Sequence, residues 1–542
     1  MLKAFQTFMV ENGGGLVLPE MMLVLFAMGI LLTDYLLEAR DKYFNAFMAL
    51  LGVMFSWDTL FGLPDFLNNI LSRIPVLRIF ATKGLRGVAE RGAIGFSSSL
   101  LVDPFFLFFA AIFLIATALV IVLSVRYLQV EEENHGEYYA LMLFATVGMM
   151  FMASGYDLVV QFLGLETMAI SFYVLAGFLR RDKRSNEGAV KYLLLGAFSS
   201  AILAYGFSIL YGIGAMANLS SIGEPLPART NLDVLAVAVQ RRMESALAAG
   251  HPDLLVLLAL ATVAAGLFFK VAAVPFHQWA PDVYEGAPTP ITAYISVASK
   301  TASFALLLRL LLTVFWPVRV DWEMLIAGVA IASLTIGNLA AITQTNVKRM
   351  LAYSSISHVG YVLLGIVAAA SSPLGFLVGM KGVAFYLFVY GFMTMGAFAV
   401  LIVLQRQGII GDELNDLNGL YRRSPLSALV LLIFMLSLAG IPPLAGFMGK
   451  YLILQSLLDT GHAKLALFGA LYIVPALYYY FQVVKHAYLK EPGDAPLPII
   501  TVGQRLAFAV MCFVTIAAGV YPEPFMRLAT YSLFFPSGFS GH

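Results

Sequence analysis

The sequence predicts an all-α, polytopic membrane protein of about 14 transmembrane helices. Three observations carry that expectation. Hydrophobic residues make up 60% of the 542-residue chain and charged residues only 12%, well below the roughly one quarter usual in soluble domains. About fourteen stretches reach the ~20 mostly apolar residues that a bilayer core demands. Most connections between them are short, which predicts a compact bundle.

Taken in order, the first two runs fall near 15–36 and 43–62. The N-terminus has no cleavable-signal pattern, so the first run reads as a retained span. Residues 63–101 follow as a long segment carrying Arg73, Arg78, Lys83, Arg86 and Arg91. Runs three to eight lie near 102–125, 138–156, 158–179, 188–214, 253–275 and 287–313. Between the sixth and seventh, residues 215–252 have little apolar character and predict a short surface helix. Runs nine to fourteen lie near 322–343, 350–371, 378–404, 425–455, 465–485 and 503–521. The chain then divides into spans 1–3 with their outer loop (1–137), spans 4–8 (138–314), spans 9–13 (315–490) and a last span (491–542).

A unit of five spans reverses direction, so spans 4–8 and 9–13 are expected to form two inverted five-helix repeats. Pro275 interrupts the seventh run. Pro442 and Pro443, with Gly440, Gly446 and Gly449, interrupt the twelfth. Helices broken at matching places in two halves point to a transport site.

Basic residues in short loops set orientation. Arg180, Arg181, Lys183 and Arg184, the Lys348–Arg349 pair, Arg406 with Arg422 and Arg423, and Lys485 with Lys490 fall on one side of a fourteen-span chain. That side is expected to be cytoplasmic, with both termini outside. The 63–101 segment opposes this assignment, and the several short loops outvote it.

Composition also excludes function classes. The net charge of +1 leaves no nucleic-acid footprint. One cysteine, Cys512, permits no intrachain disulfide and falls short of the four thiolates an iron–sulfur cluster normally takes. No metal site is expected. Of seven histidines only His358 lies deep in an apolar run, which disfavours a bis-histidine haem.

The charges inside apolar runs carry the functional signal, because each costs about 2.5–3.5 kcal/mol even on permissive insertion scales. Glu166 is the only charge between residues 158 and 179. It either pairs structurally with a neighbouring helix or takes part in proton chemistry, and its mid-span place favours the second. Lys270 sits in the seventh run ahead of Pro275 and His277. Lys300, about four helical turns past Glu285, is well inside the eighth. Lys450 follows the Gly-Pro break, whose freed carbonyls are placed to hold water beside its ammonium. Lys191 opens the sixth run, where snorkelling competes with a relay role. His358, in SSISHVGY, reads equally as a satisfied core residue or a proton relay. Arg309 and Lys381 read as interfacial anchors, and Asp282 and Glu285 as residues of the turn after span 7.

Opposite charges about 8 Å apart at an effective dielectric of about 10–20 interact by about 2–4 kcal/mol. Moving one charge against about 200 mV takes around 4.6 kcal/mol. A Glu166–Lys270 pair therefore switches proton affinity but does not by itself drive uphill transfer. An outside event must supply the remainder.

Three long motifs, PFHQWAPDVYEGAPTPITAYISVASKTASF, TQTNVKRMLAYSSISHVGY and GIPPLAGFMGKYLIL, resemble the antiporter-like subunit N family of proton-pumping NADH:quinone oxidoreductase, respiratory complex I. The resemblance runs from span 3 to span 13. SVASK in span 8 and the lysine of span 12 favour subunit N over its paralogues. It implies that Glu166 pairs with Lys270, that Lys300 connects the halves, that His358 bridges two half-channels and that Lys450 releases the proton, with Lys191 a basic residue of span 6. It further implies no cofactor in this chain, with quinone, flavin and iron–sulfur clusters in partner subunits. The implied partners are other complex I membrane subunits, above all neighbouring antiporter-like ones, in a bacterial cytoplasmic (inner) membrane. A subunit of a multi-subunit sodium/proton antiporter is the alternative, and a structural membrane anchor with buried ion pairs is a third reading.

Overall fold

Apolar runs become helices because each backbone N–H and C=O must find its partner within the segment where no water is at hand. The computed structural model describes residues 14–38, 41–62, 84–90, 92–216, 229–405, 411–492 and 500–533. Among these, thirteen helices are long and apolar enough to cross a bilayer. Spans 1 to 6 are Gly14–Asp34, Tyr43–Phe61, Pro104–Glu131, Gly136–Ser154, Leu158–Ala176 and Lys183–Met216. Spans 7 to 11 are Leu254–Val271, Thr289–Thr313, Trp316–Ile342, Val347–Ser371 and Pro373–Leu404, and spans 13 and 14 are Ala463–Leu489 and Val502–Val520. Span 12 is divided into Pro425–Ala439 and Ala445–Asp459. The predicted runs agree with these limits to within a few residues. Arg73, Arg78, Lys83, Arg91 and Arg406 lie outside the described residues.

Polar residues start the helices where the apolar runs begin. Asp103 accepts from the Phe106 N–H at 2.8 Å, Asp157 from Val159 at 2.8 Å and Ser372 from Gly375 at 3.0 Å. Each satisfies an N–H that the first helical turn leaves open.

Spans 8 and 11 are enclosed over 100% of their apolar windows and span 10 over 94%, whereas spans 1, 13 and 14 are enclosed over 33%. The centre of the bundle is thus made of spans 8, 10 and 11, and the polar groups they carry are buried with them. Spans 4 and 5 meet closely through glycine: a Cβ on Gly148 would lie 2.5 Å from the Gly164 carbonyl oxygen. Small residues admit such backbone contact where apolar surface alone provides no drive for helices to associate.

Two features cap one end. A hairpin pairs β1, Ala93–Gly95, with β2, Leu100–Val102. The 215–252 segment holds a surface helix, Leu232–Ala249, longer than the short one expected. Asn231 Nδ2 ties it to the Ser98 carbonyl at 2.7 Å, and Arg242 Nε to Asp253 at 2.7 Å. A further helix, Glu523–Tyr531, follows span 14.

Four sequence readings need correction. Arg309 is no interfacial anchor: it is fully buried, donates to Asp103 at 2.6 and 3.0 Å and to the Ala153 carbonyl at 2.8 Å, and covers the Phe105 ring. Lys348 is not a loop cation but a buried side chain donating to the Ala287 carbonyl at 2.7 Å. Asp282 and Glu285 lie on a helix, Trp279–Gly286, rather than in a turn. A new helix starts at Thr289, so Glu285 and Lys300 do not share one.

Candidate functional site

Both helix breaks create the site. In span 7, Ala272 turns left-handed (φ 59°) and its N–H returns to the Phe268 and Phe269 carbonyls; a cis Val274–Pro275 bond follows, and the helix resumes at Trp279. The Trp279 indole N–H donates to the Phe269 carbonyl at 2.9 Å across the gap. In span 12, Gly440 is left-handed (φ 88°), a cis Pro442–Pro443 bond follows, and the helix resumes at Ala445. The interrupted turns leave carbonyls without N–H partners in their own helix, and the lysines lie against these ends.

Lys270, 4% exposed, is the penultimate residue of the first half of span 7. Its ammonium donates to the Ser200 hydroxyl at 3.2 Å and the Tyr173 hydroxyl at 3.3 Å. No ion pair within 4.0 Å joins it to Glu166, whose Oε1 is buried without a hydrogen-bond partner among the described residues. The expected direct pair is therefore separated in this structure.

Lys300 follows a π-helical turn, Ile295–Ser299, a local irregularity frequent at functional sites. Its ammonium donates to Ser355 at 2.6 Å and lies 5.4 Å from the Tyr284 ring centre. Ser355, His358 and Tyr361 stand three residues apart, hence on one stripe of span 10. The His358 Nδ1 is 2.5 Å from the Tyr386 hydroxyl and Nε2 is 3.1 Å from that of Tyr480. Tyr480 also bonds Ser354.

Lys450 ends the series. Its ammonium donates to the carbonyls of Leu438 and Ala439, both at 3.0 Å, and lies 5.2 Å from the Tyr361 ring centre. These carbonyls end the first half of span 12, where the helix carries its negative dipole end. The ammonium thus bonds directly to carbonyls freed by the break.

Lys191 stands apart. Half exposed, it pairs with Glu187 at 2.6 Å and Asp282 at 2.8 Å. Asp282 and Glu285 also hold Arg349, at 2.7 and 3.0 Å. This cluster ties the second half of span 7 to the ends of spans 6 and 10. Lys381 is half-buried in span 11.

The fold thus buries Lys270, Lys300, His358 and Lys450, gathers the last three along the stripe of span 10 and leaves Lys191 half exposed. Sequence reading missed the connecting groups: Tyr173, Ser200, Tyr284, Ser355, Tyr361, Tyr386 and Tyr480. Their signal was available as hydroxyls inside runs that otherwise exclude polarity, above all the three-residue stripe of span 10. A hydroxyl both donates and accepts, and a neutral imidazole does the same through its two nitrogens. Each of these groups can therefore both take up and release a proton.

A bundle of membrane spans with ionisable groups gathered at two helix breaks defines an ion-translocating, antiporter-like membrane protein. The family model for NADH:quinone oxidoreductase/Mrp antiporter, TM, matches residues 155–474. The chain is 48% identical to NADH-quinone oxidoreductase subunit N 2 of Solibacter usitatus over 521 residues, covering 96% of this chain and 97% of that one. A chain of respiratory complex I from Thermus thermophilus with bound aureothin superposes with a TM-score of 0.71 at 28% identity, covering 94% of this chain and 99% of that one. A chain of the Mrp complex from Dietzia sp. DQ12-45-1b has a TM-score of 0.71 at 20% identity over 95% of this chain and 96% of that one, a likeness of fold alone. The chain belongs to the subunit N family of NADH-quinone oxidoreductases.

Proposed function

We propose that this chain is a proton-translocating membrane-arm subunit of a redox-driven NADH:quinone oxidoreductase, assembled with other membrane subunits of that complex. The observation carrying the reading is the set of buried lysines: Lys300 on Ser355 of the span-10 stripe, His358 joined to Lys450 through the Tyr386 and Tyr361 rings, and Lys270 held by the Tyr173 and Ser200 hydroxyls at the other break. Glu166 sets the charge state of Lys270 from span 5. Lys300 passes a proton through Ser355 toward His358, and His358 exchanges it between its two tyrosine partners. Lys450 is the terminal donor. Lys191 and its carboxylates tune the edge of the path. Spans 4–8 and 9–13 act as inverted halves, with their breaks at spans 7 and 12.

Electron transfer is assigned to partner subunits, where quinone, flavin and iron–sulfur clusters belong; one cysteine here cannot supply a cluster's thiolates. Arg181 in the loop after span 5, Arg184 at the start of span 6 and Gln405 at the end of span 11 line one cavity with Lys348 and Ala287. We assign that face to the cytoplasm of a bacterial inner membrane, with both termini on the other side.

The test replaces Lys270 or Lys450 by alanine in the assembled complex in sealed vesicles. Each substitution is expected to lower proton pumping at least tenfold with normal assembly. Full pumping and quinone reduction in both variants would overturn the reading, and pumping that required sodium would favour the antiporter alternative.

A further inference from the structure

Span 1, the β1–β2 hairpin and spans 4 and 5 enclose an apolar groove of about 970 Å³ on the flank of the bundle. Its wall on span 1 runs from Val17 to Met28, roughly 16 Å at 1.5 Å per residue. That length is about one leaflet of a ~30 Å hydrocarbon core. Met21, Met22 and Met28 make the wall soft enough to follow a flexible chain. Leu163 on span 5 faces them, and Leu25 and Leu163 are largely exposed.

One charged side chain breaks this apolar lining. Glu20 stands in the first turn of the helix Leu18–Asp34 and is 2% exposed. One of its oxygens turns back to its own backbone N–H. The other, Oε2, is buried with no hydrogen-bond partner among the described residues. A buried carboxylate oxygen without a donor is costly, and this one lies at the end of the span, the depth of lipid headgroups.

We propose that the groove is a binding site for one aminophospholipid. Its acyl chain lies along spans 1, 4 and 5, and its headgroup ammonium donates to Glu20 Oε2. An ethanolamine headgroup carries N–H donors for that oxygen, and a quaternary choline headgroup carries none. A protein helix seated in the groove would need an N–H or O–H donor at this one level of an otherwise apolar face, whereas a lipid brings its cation and its apolar chain in that order.

The assembled complex, purified in mild detergent, is equilibrated with vesicles of phosphatidylethanolamine or phosphatidylcholine, and bound lipid is counted by native mass spectrometry. One retained ethanolamine lipid that phosphatidylcholine does not displace is expected. Glu20→Leu, which removes the acceptor, and Leu163→Trp, which fills the groove from the opposite wall, are each expected to lower its occupancy at least fivefold with unchanged subunit content. Equal retention in all three proteins, equal displacement by phosphatidylcholine, or a photoreactive residue at Met28 that joins a neighbouring subunit instead of lipid would each overturn the proposal. None of these readouts depends on proton translocation.

Discussion

Arg309 and Lys450 are both cations in apolar runs, and the groups they meet separate their roles. Arg309 forms a forked pair with Asp103, a residue 206 positions away, so its charge is matched by a fixed countercharge. Among the described residues Lys450 meets backbone carbonyls and an aromatic face, so no fixed countercharge holds its proton there. Breaking a buried pair from one side leaves an uncompensated charge and costs about 3–5 kcal/mol. Arg309→Met or Asp103→Leu alone is therefore expected to lower the thermal stability of the complex sharply, while the double substitution costs less than either single one. Melting of the purified complex checks this, and additive losses would refute the coupling. The lysines were legible in sequence because a charge within an apolar run has no cheap alternative. The tyrosines and serines joining them were not, since single hydroxyls recur throughout buried helices. Arg309 was misread because its partner is remote in the chain.

Among the elements, the broken spans set the positions of the lysines. Glycine and proline announced both breaks, but only one closes on glycine; span 7 turns left-handed at Ala272. At span 12 the two halves pack so tightly that a Cβ on Gly446 would lie 1.8 Å from the Ser437 carbonyl oxygen. Gly446→Ala is expected to push the halves apart, cost about 1–3 kcal/mol and lower assembled complex in membranes, as native electrophoresis would read. The surface helix Leu232–Ala249 has a pH-dependent tether in Asp253, between it and span 7. Burial opposes ionisation of this carboxyl, yet bonds from Arg242 and the Val256 and Leu255 N–H groups outweigh it and hold it below the ordinary value of 3.8. A carboxyl lowered on folding stabilises above its unfolded value, and the gain vanishes as pH falls through the folded value. Hydrogen exchange over residues 232–249 is expected to rise below about pH 4, and Asp253→Asn to raise it at pH 7 and flatten the pH response. An unchanged profile in that variant would refute the tether.

At the scale of the molecule, the ends of spans 3, 5 and 11, the starts of spans 6 and 10 and the second half of span 7 share one polar cavity. The hairpin and the surface helix share the opposite end, as alternating spans require. With Cys512→Ser removing the single native thiol, a lone Ser245→Cys is expected to react with an impermeant maleimide from outside the cell. A lone Arg422→Cys is expected to react only in inverted vesicles, and the reverse pattern would invert the topology. The sequence by itself determined the class of fold, the number and approximate limits of the spans, both breaks and which ionisable residues lie inside apolar runs. Each follows from the cost of polar groups in hydrocarbon, which is written locally along the chain. The tertiary structure decided which charges are neutralised and which stay labile. It paired Arg309 with Asp103, held Glu166 off Lys270, and set the span-10 stripe of Ser355, His358 and Tyr361 between Lys300 and Lys450. Those outcomes depend on distances between helices far apart in sequence, and apolar runs of similar composition do not specify which helix meets which.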